Sequence, residues 1–297
     1  MGPDPQRRDR SLVRVSVLAI AVAVLGTMAA VATILAGDDM APGAAIARGG
    51  AETSRFEIRS AAVGESLPVE VVEPRGGGGD RPLVVFLHGR EQDERSFLDE
   101  RGLFDGLETT GERAPVFAFP YGGESSYWHD RDDGDWSAYV TAEVIPEVER
   151  RFGTDPSRVA IGGISMGGFG AYEIASSEPE EFCAVGGHSP AIWDSFEASA
   201  DGAFDDAEDF AAHDLLSAAA ADPARFAGDA RFWVDIGDAD PLKPGADALA
   251  SALDASGRLE RRTAPGGHEA AYWSENWARY VGFYADALSA CSSEQRG

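Results

Sequence analysis

The chain has a single lysine and very little cysteine. Lys243 stands alone among 297 residues, so nearly all of the 25 basic side chains are arginines, set against 51 acidic ones. A formal charge of -26 repels nucleic-acid phosphates and anionic headgroups, which argues against nucleic acid as a partner and against docking of the folded part on a lipid surface. Cys183 and Cys291 are too few for a disulfide scaffold. No Cys/His spacing of a metal site is present, so no metal site is expected. Cys183 lies in the apolar run "EFCAVGG" and reads as a small buried hydrophobe, although an exported location would permit one bridge. No repeat of solenoid length is present. With 44% hydrophobic and 26% charged residues the composition is globular, and the length suffices for a large core.

Charge is also absent from Val15 to Ala36, an apolar run preceded by Arg7, Arg8, Arg10 and Arg14. That length suits a membrane-spanning helix or a long signal-peptide core, with the basic flank left in the cytoplasm. Residues 1–14 are therefore expected as a cytoplasmic N-terminus and 15–36 as anchor or signal-peptide core. The remainder is expected outside the cytoplasmic membrane, tethered or, after cleavage at a small-residue site such as Ala30-Val31-Ala32, secreted. Residues 37–54 are small and polar and read as a linker. A folded domain over 55–290 and a tail over 291–297 complete the organisation.

Within the domain, apolar runs alternate with helical patterns. "LPVEVVEP" (67–74) alternates like an antiparallel strand. "LVVFLHG" (83–89), "PVFAFP" (115–120), "RVAIGG" (158–163), "CAVGG" (183–187) and "RFWVDIG" (231–237) are continuous runs, as in strands buried on both faces. "RLERRTAPGG" (258–267) reads as a last, more exposed strand. Helical patterns cover 137–153, 166–179, 244–257 and 270–290, with Pro146 predicting a kink or a late start in the first. Strand then helix, repeated, predicts an α/β fold with a mostly parallel sheet of about eight strands and helices on both faces. The acidic, Ala-rich segment from Asp194 to Asp229 reads as helical insertions over the strand ends, or as a solvated helical face.

Gly163-Ile164-Ser165-Met166-Gly167 matches G-x-S-x-G between a strand and a helix, the context in which a tight turn exposes a serine hydroxyl. A serine nucleophile needs a base and an acid, which follow it in that order of acid, then histidine, along such chains. His268, after "APGG" and before the last helix, holds the loop position of a base. His188 and His213 are the other histidines beyond Ser165; His188 follows a strand and is a candidate to line the site, while His213 reads as a surface residue. Asp240, with Asp238 as rival, is the expected acid, and Asp235 lies inside the apolar run. The N–H groups of Met166 and Arg90, the latter after "FLHG", are the expected oxyanion donors. His88 ends that strand and reads as architectural or as part of the substrate site. In "YGGESSYWHDRDDGDW" (121–136), Tyr127, Trp128 and His129 are further substrate-binding candidates beside Trp136. The aspartates there read as solvated acids, since a calcium loop would need a distal glutamate.

The ordered set "FLHGR", "GGISMGG", "GDADPL" and "GGHEAAYW" resembles the esterase D-like family of the α/β-hydrolase superfamily. That group also includes feruloyl and acetyl-xylan esterases and, more distantly, the mycolyltransferases. The resemblance runs from about Leu67 to Leu288. It implies the α/β-hydrolase fold, carboxylic-ester chemistry without a cofactor, a small-molecule or cell-envelope ester as substrate, and Ser165, Asp240 and His268 as a triad. The aspartate departs from the glutamate usual in mycolyltransferases, which weakens the alternative of an envelope acyltransferase. A non-catalytic binding module has no use for all three residues.

Overall fold

The structure is a computed structural model that describes residues 46–48, 50–76, 79–222 and 228–291. The expected cytoplasmic N-terminus and the anchor or signal-peptide core lie outside the described residues. Among the described residues, no helix is long and apolar enough to cross a membrane.

Three strands open the fold as an antiparallel meander: β1 (Ile46–Arg48), β2 (Ala51–Arg59) and β3 (Ser66–Pro74). The stretch read as linker up to residue 54 thus holds β1 and the start of β2. Its Ala51 and Thr53 are buried by pairing with β3, a contact that composition alone does not reveal. Then follow β4 (Leu83–Leu87), helix α1 (Arg101–Thr110), β5 (Val116–Pro120) and the short hairpin β6 (Asp130–Arg131) with β7 (Gly134–Asp135). One helical turn, Trp136–Ala138, passes into π-helical turns over Tyr139–Val144 before α2 (Ile145–Phe152). Pro146 is therefore the second residue of α2, and the break it predicts takes the form of the π-helical turns before it, within backbone that stays helical throughout. The chain continues through β8 (Val159–Ile164), α3 (Met166–Ser177), β9 (Ala184–His188), α4 (Ala207–Ala212) and α5 (Leu215–Ala221). It ends with β10 (Arg231–Gly237), α6 (Lys243–Leu253), β11 (Leu259–Ala264) and α7 (Ala270–Ala290).

The main sheet has nine strands in the order β1-β2-β3-β5-β4-β8-β9-β10-β11. Pairings from β5 to β11 are parallel, and β3 joins β5 antiparallel. The ninth strand is β1. Continuous apolar runs build the centre because both faces are covered. Leu83, Val85 and Leu87 of β4 enter the core under α2, α3 and α6, while Val84 and Phe86 enter the core under α1 and α7. Strand β11 alternates between half-buried and exposed residues at the sheet edge, as its charged sequence predicts. Cys183 and Cys291 are joined as a disulfide with Cα atoms 5.8 Å apart. Of the two readings left open for Cys183, the bridged one holds: α7 runs back across the sheet and brings Cys291, the residue after it, to Cys183, the residue before β9.

Candidate active site

Ser165 occupies the turn between β8 and α3 with φ 56° and ψ -114°, a conformation that costs a residue with a Cβ on the order of 1–3 kcal/mol. Neighbouring backbone holds it there. The Ser165 N–H donates to the His188 carbonyl, and its own carbonyl accepts from the N–H groups of Phe169 and Ala191. The flanking glycines are required by space. A Cβ on Gly163 would lie 2.4 Å from the Gly167 carbonyl oxygen, and one on Gly167 would lie 2.1 Å from that of Leu87. The serine side chain makes no capping bond to α3. Its Oγ lies 2.8 Å from His268 Nε2 instead.

His268 sits in the loop between β11 and α7. That loop is pinned to the one after β10 by the Ala239 N–H on the Gly266 carbonyl, and by the Gly266 N–H on Asp238 Oδ1 at 3.2 Å. The imidazole stands edge-on to Trp273 at 5.1 Å, whose indole N–H donates to Ser189 Oγ. His268 Nδ1 is 2.9 Å from Asp240 Oδ2, and the other Asp240 oxygen accepts the Leu242 N–H. An ionised carboxylate only accepts, so the hydrogen-bond network assigns the proton to Nδ1 and leaves the Nε2 lone pair facing the serine hydroxyl.

The three aspartates have separate places. Asp240 meets His268, Asp238 holds the histidine loop, and Asp235 points into the core. There Asp235 is fully buried and accepts from His188 Nδ1 at 2.7 Å, Trp233 Nε1 at 2.7 Å, Tyr272 at 2.8 Å and Tyr280 at 2.9 Å. Burial drives the pKa values of Tyr272 and Tyr280 upward, so both hydroxyls stay protonated and donate.

A cleft of about 590 Å³ opens over Ser165 and His268, lined by Tyr127, Ala191, Trp193, Leu242 and Trp273, with Arg90 and Glu91 also on its wall. That volume suits a small organic ligand. Met166 is the first residue of α3, where N–H groups have no acceptor within the helix. Arg90 follows Gly89, at which an added Cβ would come within 3.4 Å of Ser165 Cβ. Gln92, which the sequence did not single out, steadies this loop by accepting the Gly89 N–H at 2.8 Å. Trp193, Leu242 and Trp273 were also missed, because only the folding of distant segments brings them to one wall.

Of the five substrate-binding candidates, Tyr127 alone lines the cleft. Its ring packs against Trp193 at 5.7 Å and Phe169 at 6.1 Å. His88 is buried, donates from Nδ1 to the Gly89 carbonyl and accepts the Gly122 N–H at Nε2. Burial pulls its pKa down to about 4, so it is a neutral strut. Trp128 is fully buried, with its indole N–H on the His88 carbonyl. His188 is sealed beneath the serine turn between Asp235 and Tyr284. His129 is buried against Phe204 and Asp209. His213, read as a surface residue, instead donates to Glu173 of α3 at 2.7 Å.

The comparisons with known proteins agree with this architecture. The family model described as Putative esterase matches residues 60–283. An esterase of Mycobacterium tuberculosis is 27% identical over 146 residues, 45% of this chain and 31% of the relative, so the chain spans about a third of that protein's length. Diacylglycerol acyltransferase/mycolyltransferase Ag85A of Mycobacterium gordonae is 25% identical over 234 residues, 70% of this chain and 67% of the relative. Among solved structures, an S-formylglutathione hydrolase from Agrobacterium tumefaciens superposes with a TM-score of 0.71 at 19% identity, over 84% of this chain and 100% of that one. A ferulic acid esterase gives 0.69 at 20% identity, over 80% and 98%. These structural likenesses concern the fold. With the family model running from before β3, through the serine turn and the histidine loop, into α7, the chain belongs to the Putative esterase family of the α/β-hydrolase superfamily.

Proposed function

We propose that this protein is an exported serine hydrolase that cleaves carboxylic esters through an acyl-enzyme on Ser165. The observation that carries the reading is the hydrogen-bonded chain from Ser165 Oγ through His268 to Asp240, opening into an apolar cleft. Ser165 attacks the ester carbonyl as His268 Nε2 takes its proton. Asp240 keeps the Nδ1 proton in place and stabilises the imidazolium. The oxyanion is held by the N–H groups of Met166 and Arg90, aided by the positive end of α3. His268 then protonates the leaving alcohol, and water activated by the same imidazole releases the acid. Glu91 on the cleft wall and the strongly negative chain favour an uncharged acyl group over a carboxylate-bearing one. Export rests on the Arg-rich flank and apolar run of residues 7–36.

The test is hydrolysis of short and medium p-nitrophenyl esters by the full chain, beside Ser165→Ala. Turnover is expected in the wild type, with a loss of about 10³-fold or more in the variant at unchanged melting temperature. A fluorophosphonate probe should label Ser165. A folded wild type that neither turns over esters nor takes the label overturns the proposal. Addition of acceptor alcohols, with analysis of products, separates hydrolysis from acyl transfer.

A further inference from the structure

We propose that His129, Asp209 and His213 form a binding site for a divalent metal of the Zn²⁺ class, which clamps the segment after β9 onto the body of the fold. Each residue offers one ligand atom, and the three atoms lie within 4.8 Å of one another. Asp209 and His213 stand one helical turn apart at the end of α4, and His129 reaches them from the loop after β5. His129 Nε2 is 3.2 Å from one Asp209 oxygen, and His213 Nε2 is 3.4 Å from the other. Ligands bound at ~2.0–2.1 Å in a tetrahedral shell lie about 3.3 Å apart, and each imidazole stands at close to that spacing from the carboxylate, one from each of its oxygens.

The chemistry of each donor favours a cation. His129 is fully buried, and its Nε2 is turned towards the Asp209 carboxylate. His213 uses Nδ1 on the Glu173 carboxylate at 2.7 Å, which leaves Nε2 as the ligating atom. A carboxylate behind the distal nitrogen is the arrangement that orients and strengthens histidine ligands. Two imidazoles and one carboxylate suit Zn²⁺ or Co²⁺, whereas Ca²⁺ takes six to eight oxygens.

The spacing of the three residues explains why the sequence did not disclose the site. His129 and Asp209 are 80 residues apart, and only packing of the acidic segment against the β5 loop unites them. A metal there would link three parts of the fold: α4, the loop carrying Tyr127, and α3 through Glu173. Phe204 packs on His129 at 5.2 Å and on Tyr127 at 6.4 Å, so the clamp steadies one wall of the cleft. No step of the ester chemistry runs through it.

The experiment uses the full chain, stripped with a chelator and dialysed, then titrated with Zn²⁺ alone by calorimetry and with Co²⁺ by visible absorption. The expected result is one metal per chain, the d–d bands of nitrogen-ligated Co²⁺, and a rise of roughly 5 °C in melting temperature at a hundredfold excess over Kd. His213→Gln and Asp209→Asn should abolish all three. Glu173→Gln keeps every ligand and should weaken binding about 10- to 100-fold, so it decides the matter if a ligand variant fails to fold. Absence of bands and of a melting shift in the wild type overturns the proposal. So does binding that survives unchanged in the variants, which would assign the metal to other surface acids.

Discussion

Two histidine–carboxylate pairs, whose acids Asp235 and Asp240 flank the end of β10, share almost nothing but their chemistry. His268 and Asp240 meet at 2.9 Å, with the imidazole a quarter exposed and its second nitrogen on Ser165. His188 and Asp235 meet at 2.7 Å with neither side chain exposed, and the second nitrogen is 2.9 Å from the Tyr284 hydroxyl. The outer pair has its acid and its base on loops beyond the strand ends, facing a cleft. The inner pair lies side by side in the sheet, where the parallel register of β9 and β10 sets His188 opposite Asp235. Glycines make room for it: a Cβ on Gly162 or Gly186 would fall 1.7 or 2.1 Å from the Tyr284 hydroxyl. Access to solvent and substrate separates a pair suited to move protons from one suited to hold a core together.

The sharpest way to break this comparison is to neutralise each acid in turn. Asp240→Asn should lower kcat for ester hydrolysis by about 10⁴-fold through loss of the correct imidazole tautomer, with little change in melting temperature. An Asp240→Asn protein with near wild-type kcat would remove Asp240 from the mechanism. Asp235→Ala should do the reverse. Four buried donors lose their acceptor, and unfolding free energy should fall by about 3–5 kcal/mol in denaturant titrations, while any enzyme that still folds retains its kcat. Equal stability in the two variants would erase the distinction between the pairs.

A smaller effect comes from another buried histidine, His88. Its pKa in the fold is about 4, with burial the main cause, whereas the unfolded chain binds a proton near ~6.5. Between those values the unfolded state holds more protons, so stability is fully present above pH ~6.5 and declines as pH falls towards 4. The loss from this group is on the order of 3 kcal/mol. Unfolding curves at pH 7 and 4.5 should show a smaller drop in His88→Gln than in the wild type. Identical drops would mean that other groups set the acid sensitivity.

Much of the site was readable one segment at a time. The serine turn declares itself because strand, glycine, serine, glycine and helix are contiguous, and each has a local steric reason. His268 was readable from its place after the last strand. The choice between Asp238 and Asp240 was harder, since it depends on how the turn after β10 directs two side chains in the same loop. His188 was misjudged as a candidate for the cleft because nothing local says that the register of β9 turns its ring inward. Trp128 and His129 adjoin Tyr127 in sequence, yet they face the core, while Tyr127 faces the cleft. Both Tyr127 and Trp128 have positive φ, 53° and 61°, a backbone path that breaks any simple alternation. The disulfide joins residues 108 apart and depends on where the end of α7 lands.

By itself, the sequence determined the class of fold, because uninterrupted apolar runs between amphipathic helices have no stable home except a sheet covered on both faces. It also determined the serine turn, because backbone strain at Ser165 and the bare glycines around it are local requirements. The tertiary structure alone decided which histidine meets which acid, which aromatic residues line the cleft, and that His129, Asp209 and His213 converge. Those outcomes rest on strand register and helix docking between distant segments. Short-range forces along the chain carry no information about them.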